Sequence, residues 1–305
     1  VAHCSVGCGL SRFSEWHKPD RDKPEKSFLK SAGFSVFSKS KIYNGRKRKM
    51  LKIPYKLVSG IMLISATANG KEGFFAFDTG AMQTAVNKVH FPELQGEHIN
   101  IAKFSEGVKE NDAEEGILNT LHFSDIERSN MPVLIMDLMY VENALKAAMP
   151  NLKFLGTLGI DVIENYTVLL DYNAAEIILD PEQGFENQMV IPMRYEKLPV
   201  IEVHAAGRTC DFVLDTGASI CLLGQSFQDD PQLLPVSETP NLVTIPIVRV
   251  GEKEYDSITA TISDISAIKK RIPVEGVIGY QVLSQQRSIL DFKNQQLIME
   301  KAQNH

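Results

Sequence analysis

The chain has little of what several large classes of protein depend on. Its 305 residues include only four cysteines and one tryptophan, and no apolar run approaches the roughly 20 residues that a membrane-spanning helix needs. The seven histidines show neither the i, i+4 spacing nor the pairing with cysteine that is typical of metal sites. We therefore expect no membrane span, no bound metal and no cofactor.

The cysteines do not form a recognisable framework. Cys4 and Cys8 have no second pair of Cys or His at zinc spacing. Cys210 and Cys221 stand on either side of a motif described below, and we expect both to be small buried apolar side chains. This pattern neither demands nor excludes an oxidising compartment. No signal peptide is visible in the chain, so the localisation stays open, with export an option if the natural start is missing.

Charge is divided unevenly along the chain. Residues 1–52 hold 13 Lys and Arg against 4 Asp and Glu, whereas residues 53–305 hold 19 against 34. The acidic body gives no electrostatic reason to expect nucleic acid as a partner. Residues 1–52 are rich in Ser, Lys and Gly without sustained periodicity, which predicts a basic, poorly structured arm. A second interpretation is that this arm binds an anionic surface or nucleic acid.

What the chain does have is a motif that occurs twice. Asp-Thr-Gly-Ala follows an apolar run at residues 78–81 and again at residues 215–218. A glycine stands 8 residues before each motif, and a Gly-x-x-Gly element recurs at residues 156–159 and 276–279. The offset between the copies falls from 137 to 120 along the chain, as expected when loops shorten while strands are kept. The chain therefore contains an internal duplication.

The remaining pattern favours an all-β fold with few short helices. Short apolar runs alternate with turn dipeptides, and helical spacing is clearest over Leu138–Met149, with a shorter counterpart at Ile265–Ile272. The predicted strands are Ile61–Ala68, Phe74–Phe77, Thr167–Tyr172, Glu176–Leu179, Val200–Ala205, Phe212–Leu214 and Leu297–Met299. The predicted organisation is the arm 1–52, a first lobe 53–181, a linker 182–189 and a second lobe 190–302.

The doubled motif has a chemical logic. The glycine permits a tight turn with exposed N–H groups, and the threonine hydroxyl can both donate and accept a hydrogen bond. Two such turns brought together would place two carboxyl groups side by side, where they cannot both ionise and so share one proton. One carboxylate can then act as a base towards water while the protonated partner polarises a carbonyl group. Such a pair hydrolyses amide bonds without a covalent intermediate.

These residues resemble the aspartic proteases. The resemblance rests on Phe77–Ala81 and Leu214–Ala218, each followed by an apolar-Gly pair at Leu158–Gly159 and Ile278–Gly279. The alanine after each motif and the small lobes are similar to the retropepsin-like branch, in its single-chain, two-lobed microbial form. The resemblance covers residues 53–302.

The resemblance implies a fold, a site and an activity. The fold would be two acid-protease β-barrel lobes related by pseudo-twofold symmetry, with a peptide or protein substrate in the cleft between them. Both lobes belong to one chain, so a monomer should suffice for activity. The activity would be that of an aspartic endopeptidase. The implied site comprises a catalytic dyad, two interlocking hydroxyls and two turn glycines: Asp78, Asp215, Thr79, Thr216, Gly80 and Gly217.

Other interpretations stay open beside this one. A peptide-binding or scaffold protein could keep the fold with little catalysis, and the halves are unequal because Met82 follows the first motif and Cys221 stands where the first copy has Thr84. A phosphoaspartyl enzyme is disfavoured, since it needs an α/β alternation and leaves the second copy unexplained.

The sequence also allows predictions for the flaps, the basic arm and four further aspartates. Flaps, the hairpins that close over substrate in this family, are expected within residues 99–121 and 236–247. The basic arm could cover the cleft in the manner of a propeptide. Four further aspartates are predicted to lie in turns or helix caps rather than in the site, namely Asp137, Asp171, Asp264 and Asp291.

Overall fold

A computed structural model describes residues 49–99, 113–236, 239 and 241–301. The predicted basic arm falls outside the described residues except for its last four. Within the described part, 20 strands and four short α-helices confirm the all-β prediction. No helix of this part is long and apolar enough to cross a membrane.

We call residues 51–181 the first half of the body and residues 188–301 the second half. The strands of the first half are β1 Leu51–Val58, β2 Ile61–Ala68, β3 Lys71–Phe77, β4 Ala85–Asn87, β5 Glu97–Ile99, β6 Ala113–Phe123, β7 Ile126–Met136, β8 Phe154–Leu158, β9 Thr167–Asp171 and β10 Glu176–Leu179. Its helices are α1 Met139–Lys146 and α2 Ile160–Ile163.

The second half follows the same order of elements. Its strands are β11 Gln188–Tyr195, β12 Pro199–Ala205, β13 Arg208–Leu214, β14 Cys221–Leu223, β15 Leu234–Pro235, β16 Leu242–Val250, β17 Lys253–Ile262, β18 Gly276–Ile278, β19 Ser288–Asp291 and β20 Gln296–Glu300. Its helices are α3 Ser266–Lys269 and α4 Tyr280–Leu283.

The strands of the two halves pair in the same way. β3 runs parallel to β8 as β13 runs parallel to β18. β4 runs parallel to β7 as β14 runs parallel to β17, and β4 and β14 lie antiparallel to β8 and β18. Each Asp-Thr-Gly motif therefore follows a strand whose parallel neighbour ends at an apolar-Gly pair.

A six-stranded antiparallel sheet is built from both halves. Its order is β1, β10, β9, β19, β20 and β11, and the halves join where β9 pairs with β19. Asp171 and Asp291 lie in the hairpins of this sheet, where they accept hydrogen bonds from the N–H groups of Ala174 at 2.8 Å and Asn294 at 3.0 Å. The prediction of a turn role for these two aspartates is confirmed.

One apolar core runs through both halves and lies beneath the two motifs. It includes Phe75 and Phe77 from β3 and Phe212 from β13, all at most 2% exposed. Each such side chain contributes about 1.5–3 kcal/mol by leaving water. Cys221 is buried in this core as predicted, but Cys210 is only partly buried, because it lies in the first part of β13, where no residue is fully buried.

The helix predictions are met in part. Helix α1 lies within the predicted Leu138–Met149 and ends earlier, and α3 is shorter than the predicted Ile265–Ile272. Asp137 and Asp264 lie just before the N-cap residues of α1 and α3 and accept the N–H groups two residues on at 2.9 Å, as loop residues rather than caps. The expected flap regions fall on the hairpins β5–β6 and β15–β16, although residues 100–112 lie outside the described part.

Candidate active site

The two Asp-Thr-Gly turns meet between the halves, each at the end of a central strand. The N–H of Asp78 donates to the carbonyl oxygen of Leu158 at 3.0 Å, and the N–H of Asp215 donates to that of Ile278 at 2.9 Å. The apolar-Gly pairs found in the sequence thus anchor the two aspartates. Because the anchors are equivalent, the turns present their carboxyl groups in the same way.

The carboxyl groups of Asp78 and Asp215 are close enough for each to influence the pKa of the other. Both are buried, with 0% and 5% of each residue exposed. Each carboxyl group also lies over the glycine of the opposite turn. A Cβ placed on Gly80 would stand 2.3 Å from Cγ of Asp215, and one on Gly217 would stand 2.4 Å from Cγ of Asp78. The close approach of the carboxyl groups therefore requires glycine at both positions.

Backbone N–H groups hold one oxygen of each carboxyl group. Oδ1 of Asp78 accepts from Gly80 at 2.8 Å and from Ala81 at 3.1 Å, and Oδ1 of Asp215 accepts from Gly217 at 2.7 Å. Among the described residues, no group bonds to Oδ2 of Asp78. This oxygen is therefore available to carry a proton shared with Asp215.

The electrostatics of the pair favour a single proton. Burial raises the pKa of Asp78 well above its usual range, and the neighbouring charge of Asp215 raises it further. Burial also raises the pKa of Asp215, but hydrogen bonds from Asp78 and from backbone N–H groups oppose that rise. The pair therefore holds a single shared proton. The two titrations belong to the pair as a unit.

The two threonines interlock beneath the carboxyl groups. The hydroxyl of Thr79 donates to the carbonyl of Leu214 at 2.7 Å and accepts the N–H of Thr216 at 3.1 Å. The hydroxyl of Thr216 donates to the carbonyl of Phe77 at 2.7 Å and accepts the N–H of Thr79 at 3.0 Å. Both threonines are 0% exposed. Four hydrogen bonds thus tie the turns of the two halves together.

Replacing Thr216 by Val should destabilise the protein. The change keeps the side-chain volume but leaves the N–H of Thr79 and the carbonyl of Phe77 buried without partners, at about 1–3 kcal/mol each. Urea unfolding measures the loss. Thr259→Val, on a partly exposed strand residue, is the matched control and should change the free energy of unfolding by less than about 0.5 kcal/mol. Equal stabilities for the two variants would contradict a structural role of the interlock.

The segments that follow the two motifs differ. In the first half, Oδ1 of Asp161 accepts both the N–H and the hydroxyl of Thr84 at 2.9 Å. In the second half the thiol of Cys221 occupies the place of Thr84 and accepts the N–H of Gly279, and burial raises its pKa to about 11. Gln281 occupies the place of Asp161. Sequence reasoning noted Thr84 and Cys221 but missed Asp161, although the shared Gly-Ile/Tyr-Asp/Gln spacing marks it.

Met82, the other departure noted in the sequence, lies between the halves. Its half-buried side chain packs against small apolar clusters of both halves, one around Leu134 and one around Val277. The residue after the first motif therefore contributes to the contact between the halves.

Neither metal ligands nor known relatives add information about the site. No group of three or more His, Cys, Asp or Glu residues that could hold a metal ion occurs in the described part of the chain. Comparison with models of known protein families gives no match, and comparison with curated proteins gives none either. The functional conclusion therefore rests on the residues and their geometry.

Proposed function

We propose that this protein is an aspartic endopeptidase of the retropepsin-like type. The observation that carries the proposal is the buried pair of Asp78 and Asp215, held in contact by two equivalent turns. The matching strand pairings further support a description of the halves as two β-barrel lobes related by pseudo-twofold symmetry. One chain supplies both turns, so a monomer suffices.

The proposed reaction follows from the protonation of the pair. A water molecule between the carboxyl groups gives a proton to the Asp215 carboxylate while its oxygen attacks the carbonyl carbon of a peptide. Asp78 donates its proton towards the carbonyl oxygen, which offsets the negative charge that develops there. Collapse of the tetrahedral intermediate transfers a proton from Asp215 to the nitrogen and breaks the C–N bond. Asp78 recovers its proton as the new carboxyl group forms.

This chemistry requires a substrate with an amide bond and no cofactor. The proposed substrates are peptides or unfolded segments of proteins, since an extended chain would have to reach the turns where the two halves meet. Proteins that keep this geometry without turning over peptides are the competing class, and they differ only in the outcome of a cleavage assay.

The proposal is tested by exposing the full chain to an unbiased peptide library from pH 3 to pH 8 and analysing the products by mass spectrometry. We expect cleavage at internal peptide bonds. In the presence of hydroxylamine no hydroxamate should form, because no acyl-enzyme exists to be trapped. The double variant Asp78→Asn/Asp215→Asn is the blank for contaminating peptidases. Retention of peptides without cleavage at any pH would identify a binding protein instead.

A further inference from the structure

Asp161 is a partly buried acid that the proposed reaction does not use. It lies in the first turn of α2, directly after the segment that anchors Asp78. Its Oδ1 accepts two hydrogen bonds from Thr84, and the hydroxyl of Thr84 in turn accepts the N–H of Gly159 at 3.1 Å. Two segments of the chain therefore cross at Thr84, and the hydrogen bonds from Thr84 to Asp161 hold the two segments together at this crossing.

This crossing reaches the carboxyl group of Asp78 through backbone bonds. The N–H of Ile160, between Gly159 and Asp161, donates to the carbonyl oxygen of Ala81 at 2.7 Å. The N–H of Ala81 donates to Oδ1 of Asp78. The short stretch from Ala81 to Thr84 is thus held at both of its ends, at Thr84 by Asp161 and at Ala81 by Ile160. The N–H group of Ala81 is the one that bonds to the Asp78 carboxyl group.

The second half has the same backbone frame without the acid. The N–H of Tyr280 donates to the carbonyl oxygen of Ala218 at 2.8 Å, as Ile160 does to Ala81. The side chain equivalent to Thr84 is Cys221, whose thiol is a weaker hydrogen-bond acceptor than a hydroxyl. The side chain equivalent to Asp161 is Gln281, whose Oε1 is buried and bonds to no described residue. Among the described residues, only the turn that carries Asp78 is held by a carboxyl group.

We propose that Asp161 is a positioning residue for the peptidase reaction, and that its ionised form, acting through Thr84, holds the Asp78 turn in the reactive geometry. This inference rests on the proposed function. A carboxylate forms stronger hydrogen bonds to the two Thr84 donors than a neutral acid does. A small misplacement of a reacting group can reduce a rate by about 10²-fold. Weakening the hydrogen bonds between Thr84 and Asp161 is therefore sufficient to slow the reaction, because the Asp78 turn would be held less firmly.

The ionisation of Asp161 falls in an accessible pH range. Burial raises its pKa to about 6, against the lowering effect of the Thr84 hydrogen bonds. The titratable side chain near enough to Asp161 to be influenced by its charge is Tyr195 from β11. Tyr195 is hydrogen-bonded to Glu164 at the end of α2, so this bond joins the two halves. The rate constant kcat should therefore rise as the pH increases through about 6.

The test compares kcat and KM of wild type and Asp161→Asn between pH 4 and pH 8. The amide mimics the neutral acid, so we expect kcat at pH 7 to fall about tenfold or more, KM to change little, and the rise near pH 6 to disappear. Thr84→Val should give the same profile, Thr84→Ser should restore the wild-type profile, and Asp161→Asn should add nothing to Thr84→Val. Asp291→Asn, whose carboxylate bonds within its own hairpin, should leave the profile unchanged.

Stability separates positioning from a merely structural role. Because the pKa of folded Asp161 is raised, its contribution to stability is present below the ordinary pKa and is lost as the pH rises through about 6. Asp161→Asn should therefore melt at a higher temperature than wild type at pH 7 and at the same temperature at pH 4. A parallel loss of activity and stability at every pH, or an unchanged kcat profile, would overturn the inference.

A spectroscopic measurement keeps this inference distinct from the proposed function. Carbon NMR of the aspartate carboxyl groups follows the titrations directly in wild type and in Asp161→Asn. The shifts of Asp78 and Asp215 should respond near pH 6 in wild type and not in the variant, whether or not peptides are cleaved. Shifts of Asp78 and Asp215 that respond identically in both proteins would reject a link between Asp161 and the pair.

Discussion

Peptide cleavage is expected to fall by about 10³-fold or more when either Asp78 or Asp215 is replaced by Asn. Asn at position 215 removes the base that takes a proton from water. Asn at position 78 removes the proton donor to the carbonyl oxygen. The two single variants and the double variant should be about equally inactive, since the carboxyl groups act as one unit. The measurement is kcat/KM on one cleaved peptide from the library.

The same substitutions should raise stability at neutral pH. Folded Asp78 has a raised pKa because it is buried beside Asp215. Its contribution to the free energy of unfolding is therefore complete below the ordinary aspartate pKa and is lost as the pH rises through the raised value. Asp78→Asn keeps a neutral group at every pH. Its melting temperature should exceed that of wild type at pH 7 and approach it near pH 4.

A buried aspartate outside the site provides the control. Asp291 is 8% exposed and bonds to Asn294 in its own hairpin, so Asp291→Asn should keep cleavage activity. Cleavage that survives either Asp78→Asn or Asp215→Asn would reject the assignment of the pair. Loss of cleavage together with a lower melting temperature at pH 7 would indicate that the carboxyl groups act in folding instead.

The strands were predictable because their signals are local. Ile61–Ala68 and Glu176–Leu179 coincide with β2 and β10, since each is a short apolar run bounded by turn residues. Helix α1 was placed correctly, but its end was set too late. Helix ends depend on single hydrogen bonds, which makes them the least certain part of such a prediction.

The pairing of strands between halves could not be predicted in the same way. Alternation in a strand tells which side chains share a face, but it does not name the neighbouring strand. The contact of β9 with β19 depends on how the halves dock. The meeting of Asp78 with Asp215 was expected from the duplication and the resemblance, because equivalent strand ends in two equivalent halves can face each other.

Asp161 shows what sequence reasoning could not supply. An acid in the first turn of a helix is common because it interacts favourably with the helix dipole, so the repeated spacing marks the position without indicating a role for the acid. Its functional interest comes from burial and from the contact with Thr84, which is 77 residues away in the chain. Only the packed structure brings the two together.

Replacing Gly80 or Gly217 by Ala is expected to separate the two carboxyl groups. The added Cβ on Gly80 would lie 2.3–2.5 Å from the carboxyl atoms of Asp215, and that on Gly217 would lie 2.4–2.6 Å from those of Asp78. Such distances force the acids to move, at a cost of about 1–3 kcal/mol for overpacking a buried site. Separated carboxyl groups no longer share a proton, so the pKa of Asp78 should fall towards its usual range and cleavage should drop by about 10²-fold.

Gly184→Ala is the matched control, since the nearest atom to its Cβ is a flexible side-chain oxygen of Gln188 at 3.2 Å. This change should leave cleavage intact and shift the free energy of unfolding by less than about 0.5 kcal/mol. Full activity in Gly80→Ala or Gly217→Ala would contradict the close contact of the pair.

Each glycine lies against the acid of the opposite turn, which allows a more selective test of the glycine substitutions. Each added methyl group collides with the acid of the opposite turn, not with that of its own. In a double-mutant cycle, Gly80→Ala should therefore lose most of its cost to stability when Asp215→Ala removes the opposing carboxyl group. The cost should remain when Asp78→Ala is the background instead. A coupling of more than about 0.5 kcal/mol with Asp215 but not with Asp78 would show in solution that the two turns interleave, because only interleaved turns place each glycine beneath the other turn's acid.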